Sequence, residues 1–174
     1  DLAYKGLRTP IGLVVTKKTP STSGLAIALK TIYSVSGYNA FTSDNDNSTI
    51  FNNFAGAWND MDGYKYTWEA SGSSDGTTIK AEDATKHPVF YAAGHFDPGI
   101  ATSNIGRWFL GSLGQWKSFF ASMGANVGSI TNYGSLSCDF STINAYFTAA
   151  GGDPLNSMWQ HTSTGVRNSS STLR

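Results

Sequence analysis

The residues able to do strong acid–base or nucleophilic chemistry are few: three histidines (His87, His95, His161), one thiol (Cys138) and two glutamates (Glu69, Glu82). Covalent hydrolysis needs a nucleophile, a base and an orienting group, and an abundance of serines is not by itself a signal of one. His95-Phe-Asp97 places an imidazole and a carboxylate on one face of an extended segment, so an acid–base pair is conceivable. A loop histidine beside a local carboxylate accounts for the same residues and is favoured. For metals, Asp44-Asn-Asp46-Asn-Ser48 begins like an EF-hand loop but has Thr49 in place of the sixth-position glycine and Ala55 in place of the twelfth-position glutamate. Asp60-Met-Asp62-Gly63 could hold calcium or form a solvated turn. No catalytic residue and no cofactor is expected, a structural calcium ion being the one exception.

Whole-chain totals narrow the function classes further. Lysine plus arginine equals aspartate plus glutamate at 12 each, so no long-range field recruits nucleic acid, anionic lipid or an acidic partner. Charged residues make up only 14% against 13% aromatic, and there are 19 glycines, a balance in which stacking, hydroxyls and backbone turns take the place of ion pairs. One cysteine rules out an internal disulfide framework and a cysteine-based zinc cluster. No run of about 18 apolar residues offers a membrane span. Asp1-Leu-Ala-Tyr-Lys lacks an apolar signal core, which suggests a mature or trimmed chain. At 174 residues the length prior is a single domain, residues 1–174.

The elements that must position any site centre on Gly106–Gly124. Arg107–Leu110 reads as a short aromatic strand broken by Gly111. Ser112 with Gln115 three residues on has capping-box spacing, so a helix should start there, its stripe made of Leu113, Trp116, Phe119, Phe120 and Met123, with Gly124 as a left-handed C-cap. Before it, Pro10–Thr16 suits a buried, central strand and Leu25–Leu29 a second, forming a hairpin. Ser48 opens a helix with Ile50, Phe51, Phe54, Ala57 and Trp58 on one face. Tyr64, Tyr66 and Trp68 alternate as in a brief strand, Ser71–Thr78 is loop-like, and His87–Ala93 fits a helix or a strand. Asp139 should cap a further helix carrying Phe140, Ile143, Tyr146 and Phe147, ended by Gly151-Gly152. These elements amount to a loop-rich α+β fold.

Ser157–Arg174 mixes Trp159, His161, Arg167 and Asn168 with many hydroxyls. It is too polar for core and too varied for a linker, and it offers donors, acceptors and a stacking plane as a contact surface does.

Three stretches in chain order carry a resemblance. Pro10-Ile-Gly-Leu-Val-Val with Gly24–Lys30, then Asp60-Met-Asp-Gly-Tyr64, then Gly106-Arg-Trp-Phe-Leu-Gly-Ser-Leu-Gly-Gln-Trp116 resemble surface and prophage proteins of gut bacteria with a C-type-lectin-like fold. These include the variable proteins of diversity-generating retroelements. The central family motif reads G-W-[FY]-L-P-S-x-G-[QE]-W, and Gly111 here replaces its proline. The resemblance implies small antiparallel sheets with two or three helices, and a variable, ligand-binding segment at 157–174. It further implies adenine-directed diversification, under which His161, Ser163, Val166, Arg167, Asn168, Ser170, Thr172 and Arg174 are the candidate ligand-binding positions, with Trp159 as scaffold. The family pattern continues into a last strand pair beyond this point.

What the resemblance implies is a non-catalytic binding protein, an adhesin or receptor-binding protein on the bacterial cell surface or a virion, outside the cell. Its partner would be a protein or glycan on a cell surface, with no nucleic acid and no membrane insertion by this chain. Two alternatives belong to other classes: a pilin or fibre subunit completed by a donated strand, and an enzyme using His95, Asp97 or Cys138.

Overall fold

The computed structural model describes residues 9–32, 49–100, 105–132, 136–155 and 162–166. They form an α+β arrangement of two very small sheets and five α-helices, divided into two compact units. One unit takes Asp1–Thr31 and Ser118–Trp159, the other Ile32–Lys117 and Gln160–Arg174, so the chain runs between them three times.

In the first unit, β1 (Gly12–Thr16) and β2 (Leu25–Ala28) pair antiparallel as the expected hairpin, with Leu13 opposite Ile27 and a register irregularity between Val14 and Thr16. β1 is not the buried central strand that its apolar run suggested. It has one partner in a two-stranded sheet, and Val14 is 64% exposed.

The helix α5 (Phe140–Ala150) of this unit forms for the local reasons its sequence contains. Asp139 Oδ1 accepts from the Ser141 and Thr142 amides at 2.9 and 3.2 Å, and Gly151 leaves the helix at φ 80°, a conformation that costs a residue with a Cβ about 1–2 kcal/mol. Ile143 and Phe147 turn inward, and Phe147 meets Phe119 edge to face at 6.2 Å. At about 1.5–3 kcal/mol for each such side chain buried, this contact outweighs the caps that frame it. The chain after α5 is fastened to the residues that follow β2: the Asp153 amide donates to the Leu29 carbonyl at 2.8 Å, and Lys30 Nζ pairs with the Asp153 carboxylate at 2.9 Å. Asn144 reaches across to both the amide and the carbonyl of Leu155, at 2.7 and 3.1 Å.

In the second unit, β3 (Thr49–Phe51) lies parallel to β4 (Thr164–Val166), with Ile50 opposite Gly165. A parallel pair corrects the expectation of antiparallel sheets alone. It also moves the start of the first helix, since Thr49–Phe51 is strand and α1 occupies only Phe54–Trp58, capped by Asn53 Oδ1 accepting from the Gly56 amide at 2.8 Å. A further correction falls on Tyr64–Trp68. These residues are in helix α2 (Gly63–Trp68), whose buried members Gly63, Tyr66 and Thr67 follow helical spacing; the alternation of aromatic rings was accidental.

The segment His87–Ala93 resolves as helix, α3 (Pro88–Gly94), with proline in its first turn where no amide partner is lost. Before it lie two short 3-10 turns, Ala70–Gly72, which overlaps the start of the loop-like Ser71–Thr78, and Lys80–Glu82, which follows it.

Arg107–Leu110 is not a strand. Its backbone is held by side chains of α2 instead: Trp68 Nε1 donates to the Trp108 carbonyl at 2.6 Å, and the Leu110 amide donates to Thr67 Oγ1 at 3.2 Å. Helix α4 (Leu113–Ser122) then starts where expected. Gly124, at φ 88°, closes it: the Gly124 amide reaches the Ala121 carbonyl and the Ala125 amide reaches that of Phe120, the double bond of a Schellman end. The division between the units falls within α4.

Candidate functional site

Three stretches far apart in sequence meet in the second unit: Asp60–Tyr66, Leu110–Gln115 and Thr162–Thr164. Asp60 sits between α1 and α2 and is 9% exposed. Its carboxylate is filled by protein donors. Oδ1 accepts from the Tyr66 hydroxyl at 2.9 Å and from the Asp62 amide at 3.3 Å, while Oδ2 accepts from Thr164 Oγ1 at 2.8 Å. The burial of Tyr66, and then the adjacent Asp60 charge, push its phenol well above the ordinary tyrosine range, so it stays a donor.

Backbone contacts tighten the same junction. Ser112 Oγ donates to the Asp60 carbonyl at 2.6 Å, and the Ser112 amide donates to Gln115 Oε1 at 2.9 Å. The glutamine half of the capping box is therefore in place, but the serine hydroxyl is spent on the Asp60–Gly63 turn.

Glycines allow the approach. A Cβ on Gly114 would lie 2.8 Å from the Asp60 carbonyl carbon and 2.9 Å from its nitrogen, and one on Gly63 would lie 2.7 Å from both the Leu110 oxygen and the Ser112 nitrogen. The third stretch is tied in by main chain as well as side chain. The Ser163 amide donates to the Gly111 carbonyl at 2.9 Å, and the Leu113 amide donates to Thr164 Oγ1 at 3.3 Å.

The junction can hold a chain segment in one register. Both Asp60 oxygens point at hydrogen-bond donors, a geometry unlike that of a cation ligand. Among the described residues no group of three or more His, Cys, Asp or Glu side chains could hold a metal ion. The EF-hand-like Asp44–Ser48 start lies outside the described residues.

His95 and Asp97 take separate partners. His95 Nδ1 lies 3.0 Å from the Tyr91 carbonyl and its ring stacks on Tyr91 at 4.2 Å, whereas Asp97 Oδ1 accepts from the Gly99 amide at 2.8 Å. Cys138 is a free, partly buried thiol whose pKa is pushed up by burial and by the Asp139 charge, which lowers its thiolate fraction. Among the described residues no helix is long and apolar enough to cross a membrane.

Of the candidate ligand-binding positions, two are described. Ser163 is fully buried, its hydroxyl meeting no partner among the described residues, and Val166 is 9% exposed, so neither side chain is offered to solvent. His161, Arg167, Asn168, Ser170, Thr172 and Arg174 lie outside the described residues, as does Trp159.

Asp60, Tyr66, Gly114 and Thr164 were not legible as partners. A glycine in the first turn of a capped helix was the one signal available, because it marks a close backbone approach without naming what approaches. Against known proteins, no family model, no curated protein and no solved structure matches the chain.

Proposed function

We propose that this chain is a non-catalytic ligand-binding domain, a variable protein in which a C-type-lectin-like scaffold presents a diversified carboxy-terminal segment. The observation that carries the reading is the Asp60 junction. It joins two of the stretches on which the resemblance rests, Asp60–Tyr64 and Gly106–Trp116, to Ser163 and Thr164 within the segment expected to bind ligand. A display segment needs such an anchor, because residues that vary cannot also specify their own backbone path. In this reading Ser163 and Val166 belong to the anchor, and recognition falls to His161, Arg167, Asn168, Ser170, Thr172 and Arg174. The partner is a protein or glycan on a cell surface, and the protein works outside the cell.

The reading is tested by replacing His161, Arg167 and Asn168 together with alanine and probing an array of cell-surface glycans and bacterial surface proteins. Loss of every wild-type signal, with an unchanged melting temperature, supports the proposal. Retained binding, or loss of binding only together with loss of fold, refutes it.

A further inference from the structure

His87 stands apart from the Asp60 junction and has an unusual environment. It is 2% exposed, and neither Nδ1 nor Nε2 meets a hydrogen-bond partner among the described residues. It occupies the N-cap position of α3, where it contributes its backbone carbonyl to the Tyr91 amide but no side-chain cap. Its ring meets Phe90 edge to face at 6.2 Å.

A buried cation already sits on that same phenylalanine. Lys80, fully buried in the Lys80–Glu82 turn, places Nζ 5.3 Å from the Phe90 ring centroid. Its ammonium donates to the Gly72 carbonyl at 2.9 Å, to Ser73 Oγ at 2.8 Å and, at 3.4 Å, to the Tyr66 carbonyl of α2.

We propose that His87 is an acid-operated latch: neutral, it seals α3 against α2 and the Lys80–Glu82 turn, and protonated, it releases α3 from them. Two costs fall on the charged imidazole together. It has no acceptor for its second proton, and the Lys80 charge on the other contact of Phe90 opposes it. The charged groups around it relieve this only in part. Asp83 and Lys86 lie in the turn before α3, and Asp75 lies in the loop before Lys80; Glu82, on the turn, and Lys65, on α2, are the others on the packed elements.

Asp83 already accepts from the Thr85 and Lys86 amides, and Asp75 from the Thr77 and Thr78 amides and the Thr78 hydroxyl. Accordingly the imidazole pKa is depressed, first by burial and then by Lys80, with Lys86 adding to the fall and the two aspartates opposing it. Folded His87 binds a proton less readily than the unfolded chain. Its contribution to stability is therefore present above the unfolded histidine pKa and is lost as pH falls toward the folded value, at up to tenfold in the closed-to-open ratio per pH unit. Release reaches further than α3, because Phe90 and Val89 share a core with Leu110 and with Tyr66, the residue bonded to Asp60.

The test is amide hydrogen exchange of the full chain at pH 7.5 and 5.5, corrected for intrinsic rates and read on peptides covering 87–96. Wild type should lose protection there at pH 5.5, and His87→Leu, an apolar side chain of similar volume, should keep it. Equal protection of wild type at both pH values overturns the proposal, as does the same acid loss in the variant. Should His87→Leu fail to fold, the imidazole resonance of wild-type His87 decides: titration below the free-histidine value supports the latch, and titration at or above it refutes the latch.

Discussion

Removing the Asp60 carboxylate is the sharpest perturbation of the junction. Asp60→Ala leaves two buried hydroxyls, those of Tyr66 and Thr164, without the acceptors that now stand 2.9 and 2.8 Å away. Each buried donor left unsatisfied costs ~1–3 kcal/mol, so the variant should lose about 2–6 kcal/mol. For a chain of this length a loss of about 4 kcal/mol lowers Tm by about 8–16 °C, a large share of the ~5–15 kcal/mol that typically holds a domain together.

The double-mutant cycle with Tyr66→Phe isolates the cause. In wild type, Tyr66→Phe deletes one hydrogen bond and should cost about 1 kcal/mol. With Asp60 gone it deletes an orphaned donor and should be neutral or stabilising, giving a coupling energy of about 1–3 kcal/mol. Asp60→Asn, which keeps one acceptor oxygen, is the gentler base for the cycle if Asp60→Ala is too unstable to measure. Chemical unfolding followed by circular dichroism supplies all four corners. Additivity within about 0.5 kcal/mol would refute the reasoning, because it would mean that the phenol and the carboxylate do not depend on each other.

Two further outcomes follow from the same unit. Gly114→Ala should destabilise by at least ~2 kcal/mol in urea, although alanine is normally favoured in a helix by about 1 kcal/mol, since the added Cβ would press on the Asp60 backbone; a rise in the urea midpoint would contradict the close approach. Lys80 carries a pH signature: burial lowers its pKa to about 8, so between pH 8 and the unfolded value near 10.5 the unfolded chain holds more protons and stability rises with pH. Lys80→Met should remove that rise, read as the difference from wild type between pH 7.5 and 9.5, and an identical profile in both proteins would show that the ammonium is not desolvated.

What the sequence determined by itself was local. The start of α4 at Ser112-x-x-Gln115, its end at Gly124, and the Asp139 cap and Gly151 stop of α5 depend on residues within a few positions of one another, and the β1–β2 hairpin on residues no more than sixteen apart. Hydrogen bonding at the helix ends is decided by near neighbours, Gln115 accepting from the Ser112 amide and Asp139 from the Ser141 and Thr142 amides. Tertiary structure alone decided the rest. Thr49–Phe51 becomes strand instead of helix because its partner, Thr164–Val166, lies more than a hundred residues away. Arg107–Leu110 fails to become strand because Trp68 and Thr67 take its backbone groups first. In the same way, an aspartate in a polar turn could equally have been a solvated turn residue, a calcium ligand or an anchor. Thr164, 104 positions on, resolves the choice by bringing a hydroxyl to its carboxylate.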